Sequence, residues 1–240
     1  MRKLCTLKCF VLLCIFGMTN LKGSGQIAAW DFTGAAAPAT FAATTFNANL
    51  VSTSGANNVT RGAGASASAG ANSFRTVGFQ NNGISVANTD YFQITLTAQP
   101  TFKVSLSTID ARFNGTATYA ASPGVSSQFA YSLDGTNFTL IGSPTVTIGA
   151  PAVMTQIDVS GIAALQNVTS GTTITLRYYA SGQTATGGWG FFSSAVGVNG
   201  LAIGGTVTTA VSSNANLSNL VLNTGTLVPA FASGTTSYTS

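Results

Sequence analysis

The sequence contains no histidine and no glutamate, and its three cysteines, Cys5, Cys9 and Cys14, all fall in the opening segment. Beyond that segment, Ser-His-Asp and Cys-His nucleophile arrangements are impossible. Zinc sites built on histidine or cysteine are excluded in the same way. No disulfide can staple the remainder, so its core must hold it together. Charge is scarce too: Asp, Glu, Lys and Arg make up 6% of the chain. The formal net charge of +4 belongs to the front end, where Arg2, Lys3, Lys8 and Lys22 lie. The rest of the chain sets Arg61, Arg75, Lys103, Arg112 and Arg177 against Asp31, Asp90, Asp110, Asp134 and Asp158, five against five. No basic patch remains to neutralise phosphates, which excludes nucleic acid as a partner. A polybasic membrane contact is excluded on the same ground.

Long apolar runs are also missing. The run Cys9–Met18 is bounded by Arg2, Lys3 and Lys8 before it and by the small residues Gly23, Ser24 and Gly25 after it. That order is a secretory signal peptide, expected over residues 1–26 with cleavage near Gly25 or Gln26. A spanning helix needs about 20 apolar residues, so no transmembrane segment is expected. A lipoprotein reading through Cys14 is disfavoured, because bulky Leu13 precedes it and Cys14 sits inside the apolar run. An exported chain without disulfides fits a bacterial secreted or surface protein better than a small eukaryotic extracellular module.

What is present is alternation. Phe92, Ile94 and Leu96 oppose Tyr91, Gln93 and Thr95. Phe102, Val104 and Leu106 oppose Lys103, Ser105 and Ser107. The same period of two recurs in Gln128–Leu133 and in Thr173–Tyr179, where Tyr179 and Arg177 fall on the polar side. Period two over six to eight residues means half-buried antiparallel strands. Asp134-Gly135 reads as a hairpin turn, since both residues tolerate positive φ. Gly62–Ala71 reads as a flexible, low-complexity loop. Val159–Asn167 reads as one short helical turn with Ser160 as its N-cap. Many short strands separated by turns predict an all-β, jelly-roll-like antiparallel sandwich over residues 27–208. A linker is expected at 209–214, and residues 215–240 read as the first strands of a second sandwich.

Two stretches carry a resemblance. Ala29-Trp30-Asp31-Phe32, Asp90-Tyr91-Phe92, Tyr131-Ser132-Leu133-Asp134-Gly135 and Val198-Asn199-Gly200-Leu201 resemble the N-terminal jelly-roll domain of secreted Bacteroidota-type surface proteins. Leu217-Ser218-Asn219-Leu220, Gly225-Thr226-Leu227, Pro229-Ala230-Phe231 and Thr235-Thr236-Ser237-Tyr238 resemble the opening of a bacterial cadherin-like β-sandwich repeat. Such modules are spacers or adhesive units, and the resemblance implies a module within a longer chain. The type IX sorting domain common in such proteins does not occur in this sequence.

Candidate site residues are few. Glycosidases need two carboxylates flanking the bond, but Asp134 has its turn and Asp158 a strand end, as do Asp90 and Asp110. No enzyme activity is expected. Glycan binding by a sandwich needs aromatics that stack on sugar rings beside polar neighbours. Gly187-Gly188-Trp189-Gly190-Phe191-Phe192 could hold Trp189 and Phe191 on a mobile loop, with Tyr179 and Arg177 nearby. The competing and more ordinary reading makes Trp189, Phe191 and Trp30 core residues under loops. On the glycan reading, Trp189→Ala removes binding without unfolding the domain. No cofactor is expected, with one structural calcium as an option through Asp31 and Asn199, because first and last strands of a sandwich often lie together. Four N-glycosylation sequons, at Asn58, Asn114, Asn137 and Asn167, are expected by chance in a chain this rich in Asn and Thr. The chain therefore reads as a non-catalytic, monomeric secreted or surface module for adhesion or glycan binding, with extracellular glycan or a surface protein as partner. The alternatives are a structural spacer, or an accessory domain of a larger secreted hydrolase.

Overall fold

The structure is a computed structural model that describes residues 25–53, 55–185 and 187–210. The cadherin-like reading, and the signal-peptide reading up to residue 24, concern residues outside the described ones, while Gly25 and Gln26, the last two of the expected leader, lie in the first strand. In chain order the strands are β1 (Gly25–Trp30), β2 (Phe41–Ala42), β3 (Thr45–Phe46), β4 (Asn58–Arg61), β5 (Ala67–Ser68), β6 (Ser73–Thr76), β7 (Phe92–Thr97), β8 (Phe102–Gly115) and β9 (Val125–Ser132). They continue as β10 (Thr139–Leu140), β11 (Thr145–Thr147), β12 (Ala152–Val153), β13 (Ile157–Asp158), β14 (Val168–Thr169), β15 (Thr173–Ser181), β16 (Trp189–Phe192) and β17 (Leu201–Thr209).

These strands form a ten-stranded sheet, β3-β1-β17-β8-β16-β6-β5, with β12, β13 and β14 also paired to β8. A seven-stranded sheet, β10-β9-β15-β7-β4-β2, has β11 on the free edge of β9. Every strand pairing is antiparallel. The chain crosses from β7 in one sheet to β8 in the other and back to β9, giving the jelly-roll-like sandwich that the alternation predicts. First and last strands do pair: Trp30 lies opposite Leu201.

Alternation decides what fills the interior. Along β7 the inward residues Phe92, Ile94 and Leu96 are buried, and the outward Gln93, Thr95 and Thr97 are half-buried. The 14-residue β8 carries Ile109, Ala111 and Phe113 inward. The centre of the core is aromatic. Tyr178 packs 5.2 Å from Phe113 and 5.1 Å from Phe191 between ring centroids, and Phe113 lies 5.3 Å from Trp189. Such pairs add about 0.5–1.5 kcal/mol each beyond the area they bury.

Two local expectations are corrected. Gly62–Ala71 is not wholly a loop: β5 pairs Ala67 with Thr76 and Ser68 with Arg75, so the small residues form a sheet edge. The helical turn is a 3-10 segment, Ala163–Leu165, without a side-chain cap. Its entry is fixed earlier, where the carboxylate of Asp158 accepts the Ser160 N–H at 2.8 Å. An aspartate two residues before a free N–H makes that bond more strongly than a serine could, because the acceptor is charged.

Candidate functional site

The outer face of the seven-stranded sheet gathers chemistry that the rest of the surface lacks. Antiparallel register places Arg177 opposite Gln93 on β7 and opposite Ala130 on β9. The Arg177 Nε–H donates to the Gln93 Oε1 at 2.9 Å. Its guanidinium carbon lies 3.8 Å from the centroid of Tyr91 and 3.7 Å from that of Phe138. Two aromatic rings and one amide therefore hold a half-buried guanidinium. Each cation–π contact at a site of this exposure is worth about 0.5–1 kcal/mol.

Different elements deliver the two rings. Tyr91 precedes β7, in step with Gln93 two residues on. Phe138 comes from the hairpin between β9 and β10. Gly135 turns that hairpin at a φ of 74°, a conformation glycine adopts without steric cost. Asp134 then fixes its shape. Its Oδ1 accepts from Ser132 Oγ and from the backbone N–H groups of Thr136 and Asn137, while Oδ2 accepts from Asn137 Nδ2. Those bonds, led by that from the Asn137 side chain, hold the carboxyl well below the usual carboxylate range. The turn read from the sequence thus has a second effect, which is to set Phe138 over Arg177.

Tyr179 belongs to the same face, its ring 5.9 Å from Tyr91. It is not exposed as its polar-side position predicts: the loop before β7 crosses it, and its hydroxyl donates to the Val86 carbonyl at 3.4 Å. Burial raises its phenol pKa, and Arg177 beside it pulls the other way. Tyr179 is therefore a support for the cluster and not a contact surface.

Trp189 and Phe191 lie elsewhere. Both face inward from β16 and are buried, Trp189 at 0% exposure. The Trp189 Nε1–H donates to the Tyr178 hydroxyl at 2.8 Å inside the core. The glycines that suggest a mobile loop serve close packing: a Cβ on Gly190 would strike the Phe74 carbonyl, and one on Gly188 the Arg75 guanidinium. Trp189 offers no ring to a ligand, and Trp30, hydrogen-bonded to the Asn57 carbonyl, is likewise interior.

Asp31 and Asn199 serve different partners. Asp31 accepts from Thr33 through Oδ1 and from the Gly197 N–H at 2.7 Å through Oδ2. Its slight burial acts to raise its pKa, and the hydrogen bonds led by that from Thr33 outweigh it and lower the value. Asn199 donates to Gln26 Oε1 at 2.7 Å. The pair forms no shared oxygen cage. Among the described residues, no group of three or more Asp, Glu, His or Cys side chains is placed to hold a metal.

Residue-by-residue sequence reading misses Tyr91, Gln93 and Phe138 as partners of Arg177. Tyr91 and Gln93 could be found once β7 and β15 are paired in register. Phe138 carries no such signal, because a hairpin folding over a sheet is a tertiary event.

Asp90 lies at the entry to this face, buried at 8% exposure, with Oδ2 lacking a hydrogen-bond partner. Burial raises its pKa above the ordinary 3.8, against hydrogen bonds from its own N–H and that of Gln80. Below that ordinary value the group is protonated in folded and unfolded chains alike and costs nothing. As pH climbs from there through the raised folded value, the folded state alone bears the cost of ionising a buried carboxyl. Asp90→Asn is expected to stabilise at pH 7 by about 1 kcal/mol, or roughly 2–4 °C in Tm. Near pH 3 its melting curve should overlay the parent's. An equal gain at both pH values would show that ionisation is not the cause.

Comparison with models of known protein families gives no match, and none of the curated proteins matches the chain.

Proposed function

We propose that the chain is a non-catalytic secreted or cell-surface module that attaches to glycan through the outer face of its seven-stranded sheet. The observation that carries this reading is the Arg177 guanidinium fixed between Tyr91 and Phe138 and tied to Gln93. A long charged side chain ordinarily loses about 2 kcal/mol of rotamer entropy when a ligand immobilises it. Here the fold has already borne that loss, which is what preorganised recognition requires. Tyr91 and Phe138 are themselves half-buried. Half-buried polar side chains continue along the face at Thr95 and the hydrogen-bonded pair Thr97–Thr173. The leader expected from the sequence, the want of histidine, cysteine and glutamate beyond it, and the resemblance to surface modules support the same reading. A neutral module steers its ligand weakly, so avidity would come from repetition in a longer chain.

The test is affinity electrophoresis of the purified chain in gels cast with a panel of neutral and acidic polysaccharides. Retardation is expected in at least one gel. Arg177→Ala is expected to weaken it tenfold or more, about 1.4 kcal/mol. The melting temperature should fall by only a few degrees, since two cation–π contacts are at stake. A parent chain that migrates freely in every gel would leave the structural-spacer reading in its place.

A further inference from the structure

Given the outer face as the binding surface, we infer that its ligand is an acidic glycan, with the Arg177 fork taking an oxyanion from a uronic acid carboxylate or a sulfate ester. Three arginines are packed into the body of the sandwich, and they differ in what they leave free. Arg61 stacks 3.8 Å from the centroid of Phe74 and 5.2 Å from that of Phe92, gives Nε and Nη2 to the Pro38 carbonyl, and buries Nη1 without a partner. Arg75 buries Nε without a partner. Arg177 is not among the residues with a buried unpartnered nitrogen: its Nε is satisfied by Gln93, and its side chain also bonds to Tyr179.

The electrostatics favour an anion over a neutral sugar. Around Arg177 the half-buried Thr60, Gln93 and Thr95 are uncharged, while its direct neighbours Ala130 and Thr175 are buried. The closest carboxylate along the hairpin, Asp134, has both oxygens committed to Ser132, Thr136 and Asn137. Asp90, one residue before Tyr91, is close enough to act on the neighbouring Tyr179, yet among the described residues the hydrogen bonds of Arg177 run to Gln93 and Tyr179 and not to a carboxylate. A neutral sugar laid over the guanidinium would strip its water and return only hydroxyl dipoles. A carboxylate or sulfate returns a charge-assisted, two-point bond matched to the planar fork. The stacked rings block approach from above and below, which leaves the in-plane edge where bidentate bonding takes place.

The experiment uses two matched pairs of probes: polygalacturonate with its carboxyl-reduced form, and a sulfated galactan with its desulfated form. Dissociation constants come from isothermal titration at low salt. At least one acidic member is expected to bind tenfold or more tighter than its neutral counterpart. Preference within the first pair alone identifies a carboxylate, and within the second alone a sulfate. Arg177→Lys keeps the charge but loses the fork and the stacking, and is expected to weaken the acidic probe about tenfold. Phe138→Leu, at a half-buried hairpin position, should weaken it as well while the melting curve stays close to the parent's. Equal binding to acidic and neutral members, unchanged in Arg177→Lys, would overturn the acidic inference and leave glycan binding standing. No heat with any of the four probes, together with free migration in every gel, would overturn both.

Discussion

Trp189→Ala is expected to cost about 3–5 kcal/mol of stability, the usual toll for emptying a large aromatic site. For a chain of this size that is a fall of roughly 10 °C or more in Tm. The side chain is wholly buried, with Phe113 at 5.3 Å and Tyr119 at 6.2 Å between ring centroids. Its removal leaves a void among rings that cannot all close in. It also strips the Tyr178 hydroxyl of the N–H that it accepts at 2.8 Å. That hydroxyl is buried, and an unsatisfied buried polar group costs a further 1–3 kcal/mol or so. The glycan reading of the sequence, set beside the more ordinary core reading, predicts the opposite for this variant: a folded domain that has lost its ligand. Thermal melts followed by circular dichroism decide between them. A variant that melts within about 2 °C of the parent would mean that the ring is not part of the core.

Gly190→Ala is expected to be nearly as damaging, at about 3 kcal/mol, the upper end of overpacking costs. Gly190 sits on β16, pinned between β8 and β6, with Arg75 opposite it on one side and Asn114 on the other. An added Cβ would meet backbone: the Phe74 carbonyl oxygen, and Arg75 Cα at 2.8 Å. Neither can move without pulling β6 off the sheet. Gly188, two residues earlier, is the control. A Cβ there meets only the far end of the Arg75 side chain, which can swing aside. Gly188→Ala is therefore expected to cost under about 1 kcal/mol. Urea titrations of the two variants should differ clearly in midpoint. Equal midpoints would show that the β6–β16 approach is not as close as these positions require.

Both predictions concern the Gly187–Phe192 stretch, where local sequence is least informative. Trp, Phe and Gly in alternation satisfy two descriptions: a loop displaying aromatics, or a central strand whose partner runs too close for side chains. Composition cannot separate them, because the deciding neighbour is β6, far away along the chain. Arg177 poses the same problem from the other side. Its outward position follows from counting along β15. Its rigidity does not, because Tyr91 and Phe138 reach it from separate strands and loops.

The sequence by itself determined the all-β class and the alternating strands around Phe92–Leu96, Phe102–Leu106, Phe129 and Ile174–Tyr178, because a period of two is a local property of extended chain. It also excluded histidine- and cysteine-based chemistry and placed the hairpin at Asp134-Gly135, since absence and turn preference need no partner. Tertiary structure alone decided that Tyr179 is roofed by the loop before β7, which of the two readings of Trp189 holds, and that Arg177 stands clamped between Tyr91 and Phe138. Each of these depends on contacts between residues far apart in sequence, and such contacts are fixed by packing two sheets together rather than by any local pattern.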